Sequence, residues 1–133
     1  MYEGGFINSQ YSGKGILFYE DGTLRYEGEF INSQSYGQGT LYYEDGTYYV
    51  GAWNDGDRHG QGIEWHQTGT LKYEGAFRNN QYYGQGTSYY ENGNLDYVGE
   101  WKNGAAHGQG KVYNENGTLD YVGEFTNGQY YNP

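Results

Sequence analysis

The residues that could catalyse a reaction are few in this chain, and their spacing keeps them apart. It contains three histidines, His59, His66 and His107, and no cysteine, so a thiolate nucleophile and a cysteine-based zinc site are excluded. His59 and His107 occupy one position of a repeated motif, two repeats apart, too far for a shared metal ion. The serines fall mainly at turns, away from a general base. We therefore predict that the chain is not an enzyme and has no metal site and no cofactor.

Glutamates recur beside the predicted turns. They occupy one position of the repeat, as Glu20, Glu44, Glu91 and Glu115. Carboxylates at turns can bind calcium, but acidic and amide side chains are also common at solvated turns. The spacing matches no calcium loop, so a solvated edge is favoured.

Aromatic side chains offer a different chemistry, the binding of apolar or basic groups of a partner. The chain has 19 tyrosines, 5 phenylalanines and 3 tryptophans, and Tyr-x-Gly-x-(Phe/Trp) occurs six times between Tyr2 and Phe125. These rings either form the core of the fold or line an exposed groove, the kind of apolar patch that marks an interaction site. We favour a groove. The candidate binding residues are Tyr26, Phe30, Tyr49, Trp53, Tyr73, Phe77, Tyr97, Trp101, Tyr121 and Phe125.

The regular spacing of this motif predicts the elements that position the rings. Successive copies are 24, 23, 24, 24 and 24 residues apart, a period typical of repeat arrays. Turn signals such as Asp-Gly and Asn-Gly recur at two phases, which predicts strands of about ten residues joined by two-residue turns. We predict an all-β fold, an elongated and twisted single antiparallel sheet of tandem β-hairpins without helices. The glycines predicted to make room for rings are Gly28, Gly37, Gly39, Gly51, Gly60, Gly62, Gly75, Gly84, Gly86, Gly99, Gly108 and Gly110.

Folding the fifth copy about its turns predicts a register. The expected neighbours are Trp101 and Ala106, Gly99 and Gly108, and Tyr97 and Gly110 in one hairpin, and Tyr121 and Val112, Gly123 and Gly110, and Phe125 and Gly108 in the next. An aromatic column on the opposite face comprises Phe18, Tyr42, Trp65, Tyr89 and Tyr113. The one short step, between the second and third copies, predicts an irregularity near residues 45–48.

Composition narrows the choice of partners. The net charge is -10, whereas nucleic acids and anionic membranes require basic patches. We therefore predict no nucleic acid partner and consider a membrane partner unlikely. No apolar run is long enough to span a bilayer. The compartment stays open, with the cytoplasm favoured.

The repeated motif resembles the MORN repeat (membrane occupation and recognition nexus), whose pattern is Tyr-x-Gly-x-Trp, Gly, His-Gly-x-Gly and Asp-Gly. The third copy matches through Tyr49, Gly51, Trp53, Gly56, His59, Gly60 and Gly62. The fifth copy matches through Tyr97, Gly99, Trp101, Gly104, His107, Gly108, Gly110 and Gly117. Other copies carry Phe for Trp and Ser or Tyr for His. The 24-residue spacing is more like bacterial variants of the repeat.

This resemblance implies a curved array of hairpins that acts as a scaffold or adaptor. We expect one array over residues 1–133, with repeats 2–25, 26–48, 49–72, 73–96 and 97–120 and a partial repeat 121–133. The leading hypothesis is a non-catalytic interaction module that binds a protein or peptide segment or another copy of itself. Alternatives are a carbohydrate- or choline-binding aromatic ladder and a bacterial antitoxin or immunity protein. Both ends of the array lack a polar cap, which predicts either a longer array or association of copies.

Overall fold

The chain forms one open antiparallel sheet of eleven strands in sequence order. A computed structural model describes residues 1–131, so the last two residues of the predicted partial repeat, Asn132 and Pro133, lie outside the described part. The strands are β1 (Tyr2–Ile7), β2 (Gln10–Phe18), β3 (Leu24–Ile31), β4 (Gln34–Tyr42), β5 (Tyr48–Asn54), β6 (Asp57–Trp65), β7 (Leu71–Arg78), β8 (Gln81–Tyr89), β9 (Leu95–Lys102), β10 (Ala105–Tyr113) and β11 (Leu119–Phe125). The all-β prediction is confirmed. The described residues contain no helix, and hence none that could cross a membrane.

Two-residue turns close one end of the hairpins, as predicted. Asp55 and Gly56 both have positive φ, 47° and 86°, the geometry of a type I′ turn. The Gly56 N–H also donates to the carbonyl of Ser35 in the preceding repeat, at 2.9 Å. Equivalent bonds join Ser33 to Tyr11, Asn80 to Arg58, Gly104 to Tyr82 and Gly128 to Ala106. Each turn is therefore tied to the repeat before it.

The connections at the other end have three residues, so the prediction of two-residue turns there is wrong. The Gly22 N–H donates to Tyr19 O at 3.0 Å, and the Tyr19 N–H donates to Thr23 O at 2.9 Å. Only Gly22 in this loop has positive φ, as in a type I turn followed by a left-handed glycine. The Asp21 side chain completes the loop by accepting bonds from the Thr23 N–H and hydroxyl, at 2.9 and 2.6 Å.

The irregularity predicted near residues 45–48 is also wrong, because the short repeat is the regular one. Leu41 pairs with Tyr49 and Tyr42 with Tyr48 without a shift. The four longer copies have the shift instead, for example between Leu17 and Phe18. With a three-residue loop in every copy, the extra residue of a 24-residue repeat must bulge to keep its tyrosine on the correct face.

Four of the six predicted pairs are correct. The hairpin of β10 and β11 pairs Val112 with Tyr121, Gly110 with Gly123 and Gly108 with Phe125, as predicted. In the β9–β10 hairpin Ala106 faces Trp101 as predicted, but Gly99 faces Gly110 and Tyr97 faces Val112. The cause is a wide bulge, in which residues 107–109 oppose the single residue Glu100. The Glu100 carboxylate holds this bulge by accepting the Gln109 N–H at 2.8 Å.

Glycine pairs form the seat of each motif tyrosine. Gly28 lies directly opposite Gly39, and a Cβ on Gly28 would lie 2.5 Å from Gly39 Cα and 2.6 Å from Tyr26 Oη. A Cβ on Gly39 would overlap the Tyr26 ring itself. The two backbones therefore approach closely and the ring lies flat across both. Equivalent pairs are Gly51 with Gly62, Gly75 with Gly86, and Gly99 with Gly110.

Candidate interaction surface

The sheet has a ring face, which we define as the face that carries the Tyr and Phe/Trp rings of each motif. Eight of the ten candidate binding residues are buried on it: Tyr26, Phe30, Tyr49, Trp53, Tyr73, Phe77, Tyr97 and Phe125. Tyr49 and Tyr73 have 0% exposure. Trp101 and Tyr121 are half-buried. The ring face is thus the core of the fold, although no second layer of strands covers it within residues 1–131.

The buried rings pack edge to face along the whole array. Tyr49 contacts Trp53 of its own motif at 5.2 Å and 89°, and Phe77 of the next motif at 4.9 Å and 81°. The same pair of contacts recurs at Tyr2, Tyr26, Tyr73 and Tyr97. T-shaped pairs at these distances are favourable for aromatic rings. One interlocked row of rings therefore links each repeat to the next.

A second side chain covers four of the six motif tyrosines, from what we call the cap position, nine residues after the tyrosine. Tyr82 stacks on Tyr73 at 3.8 Å and 3°, and Tyr11 stacks on Tyr2 at 3.7 Å and 12°. Arg58 lies over both Tyr49 and Phe77, with its guanidinium carbon 5.7 and 5.2 Å from their ring centres. The cap position holds Tyr11, Ser35, Arg58, Tyr82, Ala106 and Tyr130. In the first, third, fourth and sixth repeats the cap side chain occupies the space above the tyrosine.

The polar atoms of the buried rings are satisfied by backbone carbonyls. Each motif tyrosine donates its hydroxyl to the carbonyl three residues ahead, as Tyr49 does to Ala52 at 2.8 Å and Tyr73 to Ala76 at 2.7 Å. The Trp53 indole N–H reaches Gly39 O of the preceding repeat at 3.1 Å. Burial raises the pKa of Tyr49 and Tyr73 well above the ordinary tyrosine value. These hydroxyls are held as neutral donors.

A polar cluster interrupts the ring face at its centre. Glu64 is 6% exposed, and its carboxylate accepts bonds from Tyr82 Oη at 2.6 Å and Arg58 Nη1 at 3.2 Å. The Arg58 guanidinium also donates to the carbonyl of Asn80. Burial, and then the Glu64 carboxylate, raise the pKa of Tyr82. A buried carboxylate is tolerated only with such partners.

The opposite face carries the outer ladder, a row of apolar side chains that crosses the sheet next to the three-residue loops. Its members are Phe18, Leu24, Tyr42, Tyr48, Trp65, Leu71, Tyr89, Leu95, Tyr113 and Leu119. Tyr48 is paired with both Tyr42 and Trp65, with ring centres 5.8 and 5.9 Å apart and planes 30° and 13° apart. Leu119 is 53% exposed and the others are half-buried. The ladder is an apolar surface without a covering layer within the described residues.

Carboxylates border the outer ladder. Beyond its loop side lie the exposed Glu20, Glu44, Glu91 and Glu115. A depression of about 1070 Å3 there is lined by Phe18, Tyr19, Leu24, Glu20 and Glu44, among others. Another, of about 500 Å3, is lined by His66, Tyr89, Tyr90, Glu91 and Glu115. At both places an aromatic ring and carboxylates face the same space, which suits a basic side chain.

Comparison with known protein families identifies the repeat. The family model for the MORN repeat matches residues 2–24, 26–48, 49–71, 73–95 and 97–119. The chain belongs to the MORN repeat family. MORN repeats are generally protein- or membrane-interaction modules, and the family is generally non-enzymatic. No curated protein matches this chain.

The MORN array keeps its candidate catalytic residues apart. His59 is exposed, His107 is half-buried with an unpartnered Nδ1 among the described residues, and His66 Nε2 contacts Tyr89 O at 3.2 Å. Within residues 1–131, no group of three or more His, Asp or Glu side chains is placed to hold a metal ion. The glutamates at the turns lie beside the outer ladder.

Two features of this MORN array were not predicted from its sequence. The first is the Arg58–Glu64–Tyr82 cluster. The sequence indicates this cluster through Glu64, which is charged, whereas the equivalent residues of other copies are Leu17, Leu41, Ser88 and Val112. The second is the continuous outer ladder. The sequence predicts its aromatic column but not the leucines that pair with those rings. Those leucines follow the three-residue loops, and the bulges decide on which face of the sheet the leucine side chains lie.

Proposed function

We propose that the chain is a non-catalytic protein-interaction module that binds a partner segment across the outer ladder. The observation that carries this proposal is the contrast in burial between the two aromatic faces. Eight motif rings are buried in the core, whereas the side chains of the outer ladder are only half-buried and remain in contact with solvent. Exposed apolar surface of this extent is typical of interaction sites. Its aromatic members are the residue types that dominate binding energy in interfaces.

The ring face offers a partner much less accessible surface than the outer ladder does. A side chain with 0–6% exposure presents almost no surface for contact, which applies to eight of the ten candidate binding residues. Trp101 and Tyr121 keep some accessible area. We propose that the eight buried rings instead keep the sheet rigid. The outer ladder then has its binding conformation before a partner arrives.

The length of the ladder suits an extended peptide. It crosses ten strands, β2 to β11, and nine gaps of about 4.8 Å give about 43 Å. An extended chain covers this distance with about 13 residues. A single segment of a partner protein could contact every repeat, as expected for a scaffold or adaptor.

Fluorescence of single tryptophans tests this proposal. Trp53→Phe with Trp101→Phe leaves Trp65, on the ladder, as the only tryptophan, and Trp53→Phe with Trp65→Phe leaves Trp101, on the ring face. Phenylalanine already occupies the ring position in other copies, as Phe30 and Phe77, so the fold should tolerate these changes. Peptides of about 13 residues are selected from a random display library and titrated into both variants.

We expect bound peptides to shift the emission of Trp65 and to leave that of Trp101 unchanged. A change confined to Trp101 would move the site to the ring face. If no selected peptide binds, the proposal of a peptide-binding module is wrong. Light scattering over a wide concentration range, on the same samples, shows whether a second copy of the chain is the partner instead.

Sugar binding is a second candidate, because the ladder presents a row of stacked, nearly parallel rings, Tyr42, Tyr48 and Trp65. Oligosaccharides and choline are therefore titrated into the Trp65 variant as well. Saturable binding of either, without any peptide binding, would favour this alternative.

A further inference from the structure

We propose that the occupant of the outer ladder is an extended, basic segment that carries an arginine or lysine at about every third residue. This inference rests on the proposed function, since it names the chemistry of the partner at the same surface. It follows from three observations: the charge along the border of the ladder, the shape of the depressions there, and the pitch of the repeats.

Charge is the first observation. The loop-side glutamates Glu20, Glu44 and Glu115 are exposed and form no ion pair among the described residues. On the strand side, Glu3, Glu27 and Glu29 line a depression of about 690 Å3 above Ile16, together with Lys14. The chain as a whole has a net charge of -10. The loop-side border, and the strand-side border at the first two repeats, thus carry negative charge, and a segment with basic side chains would be complementary to them.

The depressions on the loop side are the second observation. In the larger one the Tyr19 ring and the Glu20 and Glu44 carboxylates face one space. The chain's own Arg25 lies there, with its guanidinium carbon 5.7 Å from the centre of the Tyr19 ring. A guanidinium therefore fits this environment, where a ring face and carboxylates stabilise it together.

The repeat pitch is the third observation. Equivalent residues of successive repeats are two strands apart, or about 9.6 Å. A polyproline II segment makes one full turn in three residues and advances about 9.3 Å, so that every third side chain lies on the same side. A basic side chain at every third position would therefore meet one loop-side glutamate per repeat. The residues between them would place apolar side chains on the ladder.

The third repeat departs from this arrangement and sharpens the prediction. It has Gln67 where the other loops have glutamate. Glu91 of the next repeat lies 3.9 Å from His66 Nδ1. The positive charge opposite the third repeat should therefore matter least.

Designed peptides test this inference. The probe is a labelled peptide of about twelve residues that repeats Arg-Leu-Ser. One control peptide has the same composition with the arginines clustered at one end, and another has glutamate in place of arginine. Each is titrated into the variant with Trp65 as its only tryptophan, at low and high salt.

Two matched double variants distinguish the effect of the carboxylates beside the ladder from the effect of the protein's net charge on peptide binding. Glu44→Gln with Glu115→Gln removes two carboxylates beside the ladder, whereas Asp55→Asn with Asp57→Asn removes two at a two-residue turn. We expect the periodic peptide to bind and to weaken with salt. The ladder-side pair should raise its Kd about five- to tenfold, and the turn-side pair less than about twofold. Circular dichroism verifies that both variants stay folded.

The outcomes distinguish this inference from the proposed function. If library-selected peptides shift Trp65 emission but lack basic residues, or if the glutamate peptide binds equally well, the inference is wrong and the interaction module stands. If the clustered peptide binds as tightly as the periodic one, the three-residue spacing is wrong. If neither library nor designed peptides bind, both proposals fail.

Discussion

The two faces of the sheet are built from the same strands and similar aromatic side chains, yet one is core and the other is surface. On the ring face Tyr73 has 0% exposure and stacks on Tyr82 at 3.8 Å. Tyr89, in the same repeat, belongs to the outer ladder and stays half-buried. The side chains do not explain this difference, because both are tyrosines.

Glycine explains the difference. The Tyr73 ring lies across Gly75 and Gly86, and a Cβ at Gly86 would overlap it. Without side chains at these positions the ring lies flat and meets the next motif edge to face. The ladder residues have ordinary side chains as cross-strand neighbours, as Tyr89 has Leu95, and these keep the rings apart from the backbone. A single-layer sheet thus makes a core by removing side chains beneath its rings.

Alkaline pH should have the largest effect, since it acts on all buried tyrosines together. Burial raises the pKa of Tyr26, Tyr49, Tyr73 and Tyr82 above the ordinary value of 10. A raised pKa in the folded chain stabilises the fold fully below pH 10, and this contribution is lost as the pH rises further. Each such group weakens folding by about 1.4 kcal/mol per pH unit there, so we expect unfolding within about two units.

Tyrosinate absorbance and circular dichroism, followed during a base titration, check this expectation. A steep part of the absorbance change should coincide with the loss of the β-sheet signal. Tyr73→Phe, which removes one titrating group, should move that step to higher pH. If the ring-face hydroxyls ionise while the sheet signal persists, the ring face is open to water and its assignment as core is wrong.

Truncating one tyrosine on each face sharpens the comparison. Tyr73→Ala removes a fully buried ring with three ring contacts and a hydroxyl bond to Ala76, so we expect a loss of about 3–5 kcal/mol in the free energy of unfolding. Tyr89→Ala should lose about 1 kcal/mol, because its ring is only half-buried. Urea denaturation measures both. Equal losses would show that the ladder is as much a part of the core as the ring face.

Glycine substitutions separate the seat of a ring from the geometry of a turn. At Gly62 a Cβ would overlap the Tyr49 ring, although φ there is not in the positive range. At Gly69 φ is 90°, but a Cβ meets nothing within 4 Å. Gly62→Ala should therefore cost about 3 kcal/mol or more from overpacking, and Gly69→Ala about 1 kcal/mol from backbone strain. Thermal unfolding of the two variants should rank them in that order.

Much of the fold could be predicted from the sequence, because the period and the turn residues act locally. The rings were placed on one face correctly, since two-residue alternation decides the face of Tyr121 and Phe125. The bulges could not be predicted, as the one at residues 107–109 depends on Glu100 reaching the Gln109 N–H across the strand. The burial of the rings could not be predicted from the sequence either. It depends on contacts such as Tyr49 with Phe77, which join one repeat to the next across an intervening strand.

The central polar cluster allows the smallest of these tests, because another repeat supplies the matched control. Arg58→Ser leaves the Glu64 carboxylate buried with the Tyr82 hydroxyl as its remaining partner in the cluster, and we expect a loss of about 2–3 kcal/mol in the free energy of unfolding. Adding Glu64→Leu reproduces the pair Ser35 and Leu41 of the second repeat. The double variant should recover most of the loss, because an apolar side chain needs no partner there. If it stays as unstable as Arg58→Ser, the contribution of Arg58 lies in its contacts with the Tyr49 and Phe77 rings and not in neutralising Glu64. Comparing both variants with Glu64→Leu alone, by urea denaturation, measures the coupling between the two side chains directly.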